Sequence, residues 1–224
     1  LPEDIVLWWV AFLLLTIVGE RLELARIAFL GRGVEDSILA GALLLVATTA
    51  WASLWPLAGR AVGLAIVLLT ILTVTQDVAR RTIKSDGAPR FMAAAMLAGY
   101  GWAMVAGVAL LLADDWKADG TYDVVVHSIM LGFVISMILA HAPVIVPALM
   151  HRPLPYNAAM WVPLGLLHLS LLLRVTGDLT DTLVARNVGG VLGVVAILTF
   201  LLTTVTLVLK GDNKCICRDL RGIA

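Results

Sequence analysis

Two histidines bound the stretch "HSIMLGFVISMILAH", His127 to His141, and the residues between them carry no charge and almost no polarity. A third, His168, stands inside "PLGLLHLSLLLRV". Imidazole in hydrocarbon is costly unless it is hydrogen-bonded or bound to something, so an ionisable residue at such a depth is a functional candidate. The interval from His127 to His141 advances an α-helix by about 21 Å through nearly four whole turns, which predicts that the two rings share a face. Beside that face, Ser128, Gly132, Ser136 and Ala140 put a small residue at every fourth position. Such a stripe lets a flat ligand or a neighbouring backbone approach closely, and plain helix packing is its commoner use.

Two imidazoles on facing antiparallel helices suit a low-spin haem iron or a copper ion, with Met130 and Met137 as weaker ligands. His127, His141 and His168 therefore form the pool of candidate haem or metal ligands, with haem b ahead of copper. Gly132 is expected to admit a ring against the backbone. Arg174, beyond His168 in the sequence, is expected to pair with a propionate or to anchor at the interface. Against this stands the simpler use of a membrane histidine, a hydrogen bond to the next helix. No residue is assigned a catalytic role.

The elements that must position these residues follow from composition. With 61% hydrophobic and 14% charged residues in 224, and a mean hydropathy of +0.98, the chain has too little polar residue to cover a soluble globule. A spanning helix needs about twenty mainly apolar residues, and seven candidates occur, at about 5–19, 37–57, 61–76, 91–113, 123–148, 155–174 and 184–209. An all-α polytopic bundle is predicted, with residues 1–210 as one transmembrane domain and 211–224 as a cytoplasmic tail. Formal charge is zero, so nothing points to nucleic acid. The first residue is Leu1, which leaves the start of the chain open, and no signal peptide with a cleavage site is evident.

Cytoplasmic loops keep the positive residues. Arg60, Lys117, Arg174 and Arg186 fall on one side of the predicted spans, and twelve Lys or Arg, among them Arg80, Arg81, Lys84 and Arg152, fall on the other. The N-terminus is thus expected outside and the C-terminus in the cytoplasm. Trp8, Trp9, Trp51, Trp55 and Trp116 agree, gathering near the expected outer face. "GERLELAR" and the Gln76–Asp77 pair read as polar helix ends. Cys215 and Cys217 read as reduced cytoplasmic thiols, since two ligands do not make a metal site. No predicted span holds a lysine for a retinal Schiff base, and phosphate, dinucleotide and zinc-protease motifs are missing.

"YDVVVHSIMLGFVISMILAHAPVIVPALMHRPLPY", "PLGLLHLSLLLRVTGDL" and "GERLELAR" resemble blocks of a group of uncharacterised bacterial multi-pass membrane proteins. These distantly resemble the NnrS family, haem- and copper-containing membrane proteins linked to nitric oxide metabolism, with His127, Gly132 and Arg174 at matching positions. The resemblance implies a multi-pass protein of the bacterial inner (plasma) membrane. It also implies haem, with copper behind it, and respiratory electron transfer or small-gas chemistry alongside a redox partner. The alternative expectation is a non-catalytic accessory subunit of a larger respiratory or photosynthetic complex. A transporter is disfavoured by the lack of a repeat and of paired broken helices.

Overall fold

A computed structural model describes residues 2–27, 32–55, 58–152 and 154–221, and side chains within 5–24, 33–55, 58–118, 120–152 and 154–210. The described residues form helices joined by short connections: α1 (Pro2–Ile27), α2 (Arg32–Leu54), α3 (Gly59–Gln76), α4 (Ala79–Thr82), α5 (Ala88–Leu112), α6 (Asp119–His127), α7 (Ser136–Met150), α8 (Trp161–Leu179) and α9 (Leu183–Arg221). Seven helical runs are long and apolar enough to cross a membrane. Their outward faces expose residues such as Leu43, Leu112, Leu172 and Leu202. In water a surface that apolar would aggregate, whereas lipid accepts it, so the fold is that of a multi-pass membrane protein. The side chains of Cys215 and Cys217 lie outside those described.

Helix α5 is the axis of the bundle. It packs against α3, α4, α6 and α7, while α9 packs chiefly on α8. Phe91 and Leu110 of α5 and Leu69 of α3 are fully buried with Phe133 and Ile129. Without a hydrophobic drive between helices in lipid, small residues and polar bonds carry much of this association. Ala93, Ala95, Ala103 and Ala106 accordingly line the buried side of α5.

The turns are specified locally. Asp77 ends α3 and starts α4 by accepting the Ala79 N–H at 2.8 Å, and it also accepts the Tyr100 hydroxyl of α5 at 2.6 Å. The acid read from sequence as a polar helix end is thus a buried clasp between two helices. Pro89 opens α5 at its first turn, where a missing N–H costs nothing. His151 closes α7 in the left-handed conformation, φ 52°.

The fifth span is continuous but not uniform. Between α6 and α7, residues Ser128–Ile135 form a π-helix, whose i→i+5 bonds make a wider turn than an α-helix. Each of these residues therefore turns the chain less than α-geometry supposes. The expectation that His127 and His141 share a face assumed α-geometry between them, and it fails here. Pro143 and Pro147 follow inside α7, each removing a backbone donor from the ladder.

Candidate functional site

The three membrane histidines occupy three environments. His141 lines a cavity of about 550 Å³ between α1, α7 and α9. His127 lines a separate cavity of about 200 Å³ between the fifth span, α8 and α9. The two cavities share no lining residue. His168 lies against α5, where its Nδ1 accepts the indole N–H of Trp102 at 2.9 Å.

These bonds fix what each ring can offer, because a carbonyl only accepts and an indole only donates. His141 Nδ1–H donates to the Met137 carbonyl one turn earlier. His127 Nδ1–H donates to the Asp123 carbonyl at 2.9 Å. Both rings therefore keep an Nε2 lone pair, the arrangement in which metal-ligating histidines are held by a second hydrogen bond. His168 is the reverse. Its Nδ1 lone pair is engaged, so its neutral form carries the proton on Nε2, and that buried atom has no partner. A ring bonded in this way has no lone pair to give an iron.

The small-residue stripe is a packing seam. Ser128, Gly132, Ser136 and Ala140 are all buried, and a Cβ on Gly132 would overlap the Trp102 indole. Ser136 meets α5 at Gly99, where an added Cβ would lie 3.3 Å from the Ser136 Cβ. The space expected for a ring beside Gly132 is filled by Trp102. Arg174 is also engaged: its Nε and Nη2 donate to Asp123 at 2.8 and 2.9 Å, a bidentate pair that occupies the guanidinium face a propionate would need.

The cavity at His141 has the makings of a ligand site. Its volume falls within the range of small-molecule sites, and its walls are apolar, including Leu13, Ile17, Ile138 and Phe200. One end is polar, with Glu20 and Arg21 of α1 beside His141. Arg21 gives one N–H to the Met96 sulfur at 3.4 Å, a weak acceptor, and its buried Nε has no partner. Thr204 Oγ1, from α9, is likewise buried and unpartnered. Unsatisfied buried donors are costly, and both belong to residues that line the cavity. Arg21 and Glu20 stand in the stretch "GERLELAR", which sequence reasoning took for a helix end. Their place within a span length of His141 depends on how α1 packs, which no local pattern states.

Among the described residues no group of three His, Cys, Asp or Glu gathers as a metal site. The structure does bring together a cluster that sequence reasoning missed. Asp123 of α6 pairs with His127 of α6 and Arg174 of α8, and at the end of α8 Asp178 accepts Arg186 Nε of α9 at 2.5 Å. The signal was present as D-x-x-x-H across a span edge and as an acid and a base flanking the last turn. The apolar runs stop at about these residues, which hid them as ordinary ends.

The chain belongs to the family described as a domain of unknown function (DUF8744), whose model matches residues 1–209. No curated protein and no solved structure matches it.

Proposed function

We propose that this member of the DUF8744 family is a haem-binding membrane protein, with His141 as the one histidine that would hold the haem and small-gas chemistry as its work. The observation that carries the reading is His141: its Nδ1–H is fixed to the Met137 carbonyl, leaving Nε2 free beside an apolar cavity of about 550 Å³.

The donor set there suits haem. Apolar walls match a macrocycle, an imidazole lone pair matches the iron, and the cavity-lining Arg21 carries the charge a propionate would pair with. Arg21 thus takes the part first given to Arg174. Copper fits less well, since the described residues offer no convergent ligand set. Bound at His141 and Arg21, haem would supply an iron able to carry an electron or to take a diatomic gas. One histidine favours gas binding over the two-ligand arrangement of an electron carrier. The protein's own contribution is to orient the ring through Met137, to neutralise an acid group with Arg21, and to exclude water with the residues around Phe200.

Exposure of the reduced, purified protein to carbon monoxide tests this reading. A shift of the Soret band is expected, reporting that the gas reaches the iron. A reduced spectrum unchanged by the gas would favour two protein ligands and electron transfer, and would overturn the single-ligand reading.

A further inference from the structure

A polar cavity of about 300 Å³, where α3 turns into α4, has no part in the haem reading. Thr75, Gln76, Asp77, Arg80 and Arg81 line it. The two arginines are neighbours on the short helix α4, and both are exposed. The one acid in the wall is bound elsewhere, its Oδ1 accepting the Ala79 N–H and its Oδ2 the Tyr100 hydroxyl. Each guanidinium carries five N–H donors in a fixed fork, and the bonds among the described residues use only Arg80 Nη1, which gives a hydrogen to the Thr75 carbonyl at 3.2 Å. That bond holds the Arg80 head at the rim. Along residues 75–90 the cations Arg80, Arg81, Lys84 and Arg90 stand against two acids, Asp77 and Asp86, so the connection carries an excess of positive charge.

The cavity also continues a strip of the membrane surface. Leu64, Leu68, Ile71 and Thr75 are exposed on α3, and their spacing of three or four residues stacks them on one helix face. Since α3 is long and apolar enough to cross a membrane, this strip faces hydrocarbon and runs up to the polar cavity at the end of the span. Val78, exposed on the next turn, adds apolar surface beside it. Arginines that only set topology act through their number near a span end and need no shared cavity. Here two share one, at the head of an apolar track.

We propose that the cavity at the α3–α4 junction binds the phosphate of an anionic phospholipid, with Arg80 and Arg81 as its donors and an acyl chain lying along Leu68 and Ile71. The guanidinium fork matches phosphate oxygens, and basic pockets at the ends of spanning helices suit anionic headgroups. A free phosphate ion has the same oxygens but no use for the strip on α3. The site is separate from the cavity at His141, with which it shares no lining residue.

Native mass spectrometry of the full chain, purified in detergent and titrated with phosphatidylglycerol or phosphatidylcholine, tests it. The wild type should retain phosphatidylglycerol in preference to phosphatidylcholine. Losing the charge-assisted bonds in Arg80→Gln/Arg81→Gln should weaken that retention by about tenfold. Lys84→Gln/Arg90→Gln removes the same charge outside the cavity and should weaken it much less. If the double arginine variant does not fold, Arg81→Gln is read in its place. Inorganic phosphate at millimolar concentration should fail to displace the lipid. A wild type without preference for phosphatidylglycerol, equal retention in the folded arginine variant, an equal loss in Lys84→Gln/Arg90→Gln, or displacement by inorganic phosphate would each overturn the proposal.

Discussion

Because the Trp102 indole N–H can only donate, His168 Nδ1 must accept, and one hydrogen bond separates His168 from its two neighbours in chemical role. Nothing in "PLGLLHLSLLLRV" announces this, since Trp102 comes from a helix more than sixty residues earlier. Polar residues in a span are visible in sequence, whereas the partner that decides their tautomer is not. Asp77 teaches the same lesson from the other direction. Its position at the end of α3 is legible, but the bond from Tyr100 that makes it a clasp is a product of packing. Replacing Tyr100 by Phe should leave Asp77 Oδ2 short of a buried donor and cost on the order of 1–3 kcal/mol. Thermal unfolding in detergent measures this, and an unchanged midpoint would mean that water already serves Asp77.

Seven apolar runs were enough to find seven helices long and apolar enough to cross a membrane, because length and hydropathy are properties of a segment by itself. The π-helical stretch Ser128–Ile135 was not legible, since its run of apolar residues carries no phase marker by which a widened turn would show. It matters more than any boundary, for it helps to send His127 and His141 to different cavities. The stripe through Gly132 was read correctly as small residues at helical spacing, yet the spacing alone does not say what fills the gap. Trp102 does, so Gly132→Leu should drive a side chain into the indole and destabilise the α5 contact by about 1–3 kcal/mol, as overpacking does. Adding Trp102→Leu should recover part of that loss. A double variant no better than Gly132→Leu alone would show that the seam strains elsewhere.

At the scale of the whole molecule, the bundle sorts its polar chemistry to two ends. Arg80, Arg81 and the Arg21 end of the large cavity lie towards one, and the Asp123–Arg174 and Asp178–Arg186 pairs towards the other. The Lys and Arg count is the basis for expecting the first end in the cytoplasm. A cysteine introduced at Lys117 should accordingly react with an impermeant reagent in intact cells, and one at Lys84 only after permeabilisation. The opposite pattern would invert the bundle. The central claim is that His141, and not His168, ligates a haem in the cavity between α1, α7 and α9. Pigment content per chain in wild type, His141→Ala and His168→Ala, each purified from the membrane, tests it most directly. The account predicts that His141→Ala loses the Soret band while His168→Ala retains it. A wild type without pigment, or a band lost with His168 and kept without His141, would contradict the claim.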